Sequence, residues 1–197
     1  MSRKRPLFGL VLAGGRSRRM GQDKALLDRD GQSQLAFAMS AVASVTELQF
    51  VSTRADQQED AERSRYAQIV DRYDDLGPVA GVLSAMDEYP EVDWLVVACD
   101  LPNLDEATLT ELVDSRAEDA PFTAYRSSYD ELPEPLCAIY PAESHAILRG
   151  FVDEGLKCPR KMLIRSETQL LAQPNPAALD NVNTPDDLAG SVLKANG

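Results

Sequence analysis

Residues 8–27 read FGLVLAGGRSRRMGQDKALL. A short apolar run ends in Gly14 and Gly15, four cations follow within nine residues (Arg16, Arg18, Arg19 and Lys24), and the apolar pattern then resumes. The run at residues 7–13 is nearly continuous, which predicts a strand buried on both faces. Glycines at its end let the backbone reach positive φ and approach a ligand closely, with N–H groups able to meet an anion. The cations add charge for that anion. A basic surface turn after a strand is the plainer reading of the same residues.

The charge distribution bears on that choice. The 197-residue chain has a formal net charge of −12, yet residues 1–29 carry eight Lys and Arg against two Asp. That segment is therefore +6 and the remainder −18. So acidic a chain repels a long polyanion, which argues against a nucleic-acid partner. A small polyanion at the basic segment remains compatible, and a nucleoside triphosphate is the leading candidate. The loop is neither of the common phosphate loops. Lys24 lies three residues after Gly21 with no Ser or Thr following, and the G-x-G-x-x-G fingerprint is absent.

Length predicts one domain over residues 1–197 with a full core. Cys99, Cys137 and Cys158 show no paired spacing and there is one histidine, His145, so free thiols in a reducing cytosol are expected and zinc is not. The N-terminus has a basic start and a short apolar stretch, as a signal peptide does. Its apolar part is barely seven residues, the cleavage pattern is poor and arginines follow at once, so a cytoplasmic protein is expected. No run approaches the roughly 20 apolar residues of a membrane helix.

Further elements follow from periodicity. Residues 34–45 read as a helix, 48–53 as a strand, 54–67 as a short exposed helix in a charged stretch, and 68–71 as a brief strand. A helix is predicted from Val79 to Glu88, then the strongest buried-strand signal, WLVVACD at 94–100. Asp105 is a natural cap for a helix over 106–118. FTAYRSS and PLCAIYP read as two strands joined by YDELPE, followed by a helix at 142–154 and a basic patch, KCPRK. Near the end, Thr184 is placed as an N-cap with Pro185, Asp186 and Asp187 in the first turn. Strands alternate with helices through the first 118 residues, which predicts an α/β fold whose sheet is mainly parallel with a mixed edge.

In such folds ligands bind beyond the carboxyl ends of the strands. Two of those ends carry chemistry, the Gly14–Gly15 turn and Asp100. Ionised Asp100 among apolar strand neighbours is costly unless paired or bound to a metal. Leu101 and Pro102 end the strand sharply and leave the carboxylate at its tip. A turn or capping aspartate is the alternative. Beside a phosphate site, a hard oxygen ligand for Mg²⁺ is the stronger reading.

LAGGRSRRMGQDKALL, GPVAGVLSAM, VVACDLP and NVNTPDDL occur in this order across residues 10–188. Together they resemble the molybdenum cofactor guanylyltransferases, the MobA-like nucleotidyltransferases. The resemblance implies a Rossmann-like three-layer sandwich of the nucleotide-diphospho-sugar transferase type. It implies that Leu12, Ala13, Gly14 and Gly15 follow the base and phosphates, and that Lys24 contacts phosphate with help from Arg18 or Arg19. Asp71 falls in the nucleotide site, Asp100 at Mg²⁺, and Asn183 at the metal as a second ligand, while Asn181 braces the turn. Relatives often carry Asn after the second strand. Here the segment is Val51-Ser52-Thr53-Arg54, and Ser52 is assigned that contact. Arg160 and Lys161 lie where relatives have basic residues toward the pterin phosphate, and a solvated turn explains them equally.

The implied reaction joins GMP from GTP to the phosphate of molybdopterin, with or without its molybdenum, giving molybdopterin guanine dinucleotide and pyrophosphate. Transient contact with molybdoenzymes or other cofactor-biosynthesis proteins goes with it. Two alternatives stay open: a related transferase using CTP or another phosphate acceptor, and a nucleotide- or cofactor-binding module without turnover. A phosphate monoester is largely ionised at neutral pH, its second pKa being about 6, so the reaction needs no general base. His145 is accordingly expected to be structural or exposed, and buried Cys99 inert.

Overall fold

The strand predicted from the opening stretch forms as β1 (Leu7–Leu12) in a computed structural model that describes residues 5–15, 23–182 and 185–193. After β1 come a two-residue-strand hairpin, β2 (Asp28–Arg29) and β3 (Gln32–Ser33), then α1 (Gln34–Ala43) and β4 (Leu48–Thr53). The hairpin turns at Asp30 and Gly31, both at positive φ, as a tight Asp-Gly connection requires. β5 (Gln68–Val70), α2 (Pro78–Glu88), β6 (Asp93–Ala98) and α3 (Glu106–Asp114) follow. The remainder is β7 (Thr123–Arg126), β8 (Pro133–Tyr140), α4 (Ser144–Asp153), α5 (Pro159–Ile164), β9 (Gln169–Leu171) and α6 (Pro185–Ala189).

Seven strands make one sheet in the order β5-β4-β1-β6-β8-β7-β9. β5, β4, β1 and β6 run parallel, β8 is antiparallel to both β6 and β7, and β9 returns parallel to β7. The expected α/β sandwich with a mainly parallel sheet and a mixed edge is therefore present. Side chains alternate between two cores. Val11, Val51, Leu95, Val97 and Ile139 pack beneath α1 and α3, while Leu10, Phe50, Ile69, Trp94, Val96 and Ala138 pack beneath α2, α4 and α5. Sheets covered on both faces read as continuous apolar runs for this reason.

Local chemistry sets the helix starts. Ser33 and Asp105 accept from the backbone N–H of Ala36 and Thr108, the third residue of each helix. Gly77, at φ 57° and ψ −137°, gives α2 an entry that a side chain would oppose, and Pro78 then fills the first helical position.

Some expectations are corrected. Residues 54–67 do not form an exposed helix. They hold two 3₁₀ turns, Ala55–Gln57 and Arg63–Arg65, because Arg63 is drawn inward as a buried guanidinium. α3 stops at Asp114 rather than 118, because Arg116 turns back to Asp93 and to the Arg5 carbonyl. The basic KCPRK patch opens α5, and the three-residue β9 was too short to be seen as a strand. The Thr184 cap lies outside the described residues. Among the described residues, no helix is long and apolar enough to cross a membrane.

Gly9 is the tightest approach between β1 and α1. A Cβ there would stand 2.1 Å from Val42 Cγ1 and 3.0 Å from Thr46 Oγ1, and Val42 is fully buried. Gly9→Ala should cost roughly 1–3 kcal/mol through overpacking. At about 2–4 °C per kcal/mol for a chain of this size, a thermal melt should fall by roughly 2–12 °C.

Candidate functional site

The register brings four strand ends to one edge. Leu12 pairs with Ser52 on one side and Ala98 on the other, and Thr53 pairs with Val70. The residues that follow, Ala13–Gly14–Gly15, Arg54, Asp71 and Cys99–Asp100, consequently gather on the same rim.

Lys24 and Asp100 meet there. Lys24 opens a short 3₁₀ turn capped by Asp23, and its Nζ lies 2.9 Å from Asp100 Oδ2, with side chains only 15% and 19% exposed. The pairing removes the cost of a lone carboxylate at an apolar strand tip. Asp100 is also tied to the C-terminal segment, since its carbonyl accepts from the Val182 N–H at 3.2 Å. Asn181 therefore lies next to the rim. Arg16, Arg18, Arg19 and Asn183 lie outside the described residues.

Asp71 follows β5, and its N–H bonds the Thr53 carbonyl at 2.8 Å. Its carboxylate accepts from Ser52 Oγ at 2.9 Å. Ser52 is buried beneath α2, where Gly81 leaves its hydroxyl room: a Cβ there would come within 2.3 Å of Ser52 Oγ and 3.0 Å of Leu12 Cδ2. Ser52 thus reaches the rim through Asp71. Burial pushes the Asp71 carboxyl above the usual carboxylate range, against the Ser52 hydrogen bond and the Arg54 charge that hold it down.

The glycine turn is fastened by arginines. Arg54 donates from Nη1 to the Gly14 carbonyl and pairs with Asp56 at 2.9 Å. Arg63 holds the preceding carbonyl, that of Ala13. A Cβ on Gly14 would lie 3.4 Å from Asp71 Oδ2, in ordinary contact, and one on Gly15 would meet nothing within 4 Å among the described residues. Among those residues the turn is open at Gly15. Arg63 and Asp23 were missed in the sequence, because a charged stretch gives no sign that one of its cations is buried.

Other candidates fall elsewhere. Arg160 is engaged by Asp130 at 3.0 Å and Glu134 at 2.8 Å, while Lys161 sits on the exposed side of α5. His145 follows the end of β8 that pairs with the start of β6, opposite the rim, and its Nε2 lies 2.7 Å from Asp87. Cys99 is buried, and burial raises its thiol far above the ordinary range. Among the described residues, no group of three or more His, Cys, Asp or Glu could hold a metal. Asp100 is a single hard oxygen donor. That suits a Mg²⁺ carried by a polyphosphate, which needs one or two carboxylates, and does not suit an all-protein cage.

Comparisons with known proteins bear on the family and the fold. A family model for the MobA-like NTP transferase domain matches residues 9–170. A molybdenum cofactor biosynthesis bifunctional protein of Synechocystis sp. is 35% identical over 182 residues, which are 92% of this chain and 52% of that protein. The chain thus spans about half the length of that relative. A probable molybdenum cofactor guanylyltransferase of Trichormus variabilis is 33% identical over 186 residues, covering 93% of this chain and 89% of the relative. The crystal structure of molybdopterin-guanine dinucleotide biosynthesis protein A from Archaeoglobus fulgidus aligns with a TM-score of 0.76, covering 93% of this chain and 95% of that one. Its identity is 23%, so it speaks for the fold alone.

The raised Asp71 carboxyl has a measurable consequence. A carboxyl with a higher folded than unfolded pKa stabilises the fold at low pH and loses that contribution as pH rises through the folded value. Asparagine keeps the shape and the Ser52 contact without the buried charge. Asp71→Asn should therefore melt at or above the parent temperature at pH 7, with the advantage shrinking as pH falls toward about 4. Melts at both pH values check this, and a large loss at pH 7 would make Asp71 a structural residue.

Proposed function

Because the chain belongs to the MobA-like NTP transferase domain family, we propose that it transfers GMP from GTP to the phosphate of molybdopterin, with or without bound molybdenum. The products are molybdopterin guanine dinucleotide and pyrophosphate. The observation that carries this reading is the Lys24–Asp100 pair beside an open glycine turn at the carboxyl edge of the sheet. The names of the similar guanylyltransferases support the choice of base and acceptor.

In this reading the triphosphate lies along the Ala13–Gly15 turn, where backbone groups approach it closely. Lys24 exchanges its Asp100 partner for phosphate oxygens as the nucleotide binds, and Arg18 adds charge from the same loop. Asp71, oriented by Ser52, faces the nucleoside side of the turn next to Gly14. Asp100 would hold one Mg²⁺ together with triphosphate oxygens and water, and Asn183 would be a second ligand. That ion, when bound, supplies positive charge against the repulsion between attacking and attacked phosphates.

The acceptor phosphate oxygen attacks the α-phosphorus, a new P–O bond forms there, and the bond to the β-phosphate bridging oxygen breaks. The pyrophosphate leaves as an anion that Lys24 and the loop cations stabilise. The acceptor monoester is already ionised, so no proton need be removed. His145 and Cys99 accordingly have no part in the chemistry. The sheet edge suits either nucleobase, and a CTP-using transferase is the second reading.

Pyrophosphate release measured with GTP or CTP, Mg²⁺ and molybdopterin tests the proposal. Release with GTP and molybdopterin is expected. Release with CTP alone would favour the second reading, and none with either a binding module. Asp100→Asn should lower kcat/KM by about 10²–10³ while the fold persists. Lys24→Ala should weaken GTP about 10- to 150-fold, the range for losing a charge-assisted hydrogen bond, and leave guanosine nearly unchanged.

Gly14→Ala addresses base choice. The alanine methyl fits the unliganded fold, so stability should change by less than about 0.5 kcal/mol. The methyl would occupy space toward Asp71 that a purine needs, and overpacking of roughly 1–3 kcal/mol corresponds to about a 5- to 150-fold fall in GTP over CTP preference. Competition kinetics with both nucleotides check it, and an unchanged ratio would show that Gly14 does not read the base.

A further inference from the structure

Among the described residues Arg63 is the second-largest fully buried side chain, 1% exposed, and its partners are Ala13, Asp23 and Asp60. Its Nε and Nη2 donate to the Ala13 carbonyl at 3.2 and 2.7 Å. Nη2 also donates to Asp23 Oδ2 at 2.7 Å, and Nη1 lies 3.2 Å from Asp60 Oδ1. Asp60 in turn caps the Arg63 turn, accepting from the Glu62 and Arg63 N–H groups at 3.2 and 3.0 Å. One guanidinium therefore joins the residue that follows β1, Ala13, to the residue just before Lys24.

Burying an arginine this fully is costly, and an apolar side chain of similar volume is often no worse for stability. What a guanidinium adds is a planar fork that fixes several partners at set angles. Here the partners are the two points between which the basic loop runs. Asp23 has a double task, since Oδ1 caps the 3₁₀ turn through the Ala25 N–H at 3.1 Å while Oδ2 meets Arg63. The direction in which Lys24 leaves the backbone is thus set by Asp23, and Asp23 is set by Arg63. We infer that Arg63 is a positioning residue for the nucleotide loop, which holds Lys24 in register with the Ala13–Gly15 turn through Asp23. It touches no substrate. The inference rests on the reading of Lys24 as a phosphate-binding residue.

The test is a double-mutant cycle on binding. Lysine at position 63 keeps the buried charge and loses the fork. Arg63→Lys alone should weaken GTP about tenfold and guanosine by less than about twofold, a loss comparable to one charge-assisted hydrogen bond. In the Lys24→Ala background, where there is no ammonium to place, Arg63→Lys should weaken GTP by less than about twofold more. A merely structural Arg63 predicts the opposite: equal losses for GTP and guanosine, or the full tenfold in both backgrounds, and either result overturns the inference.

Asp23→Asn runs the same cycle, since asparagine caps as well as aspartate and lacks the charge that meets Arg63. It decides the question even where lysine at 63 unfolds the chain. The cycle is read with whichever of GTP and CTP the parent binds. A parent that prefers CTP overturns the guanine assignment while the cycle still judges Arg63, and a parent that binds neither overturns both.

Discussion

A carboxylate at the tip of a strand, with apolar neighbours on both sides, must find a positive partner, and in this chain the partner comes from 76 residues away. The Lys24–Asp100 contact joins the loop after β1 to the end of β6. Those two strands are adjacent in the sheet, so the pairing follows from the parallel register once Leu12 stands beside Ala98. The rim depends on that register. A slip by one residue would carry Asp100 to the other face of the sheet and separate it from Lys24.

The sheet supplies the rigidity the rim needs from its opposite half. Phe8, Phe50, Tyr89 and Trp94 pack there with ring centroids 5.1–6.1 Å apart. Apolar packing of this density resists shear between neighbouring strands. The molecule is thereby divided along the strand direction. The aromatic cluster anchors its lower half, and the charge pairs of the proposed site sit on its upper edge.

How much of this could be read from the sequence depends on the range of the interaction. β1, β4, β6 and α2 were legible because apolar runs and the Gly14–Gly15 stop act locally, although α2 starts one residue earlier than predicted, at Pro78. Asp100 was legible because a charge ending an apolar strand is an anomaly in the string itself. The partner of Asp100 was not, since nothing in the spacing of Lys24 says that its chain folds toward β6. Arg63 was the least legible. In RADQQEDAERSRYA it is one charge among many, and only the packed structure shows that it turns inward to the Ala13 carbonyl while Arg65 stays at the surface. Ser52 was placed at the right strand end, but that Gly81 covers it is a property of helix-on-sheet packing.

The Arg63 ion pairs and the Lys24–Asp100 pair differ in a way that suits different tasks. The Arg63 guanidinium is buried, 1% exposed, while its partners Asp23 and Asp60 are 30% and 27% exposed, so breaking either pair strands a buried positive charge. In the Lys24–Asp100 pair both partners reach the rim, 15% and 19% exposed, so in the proposed reaction an incoming polyanion takes the ammonium in exchange for the carboxylate. In the proposed reaction the carboxylate freed by that exchange gains a cation in turn, and neither charge is left bare at any stage. With Arg63 holding Ala13 and Asp23 together, Lys24 can trade partners in that reaction while the Ala13 end of the turn stays in place.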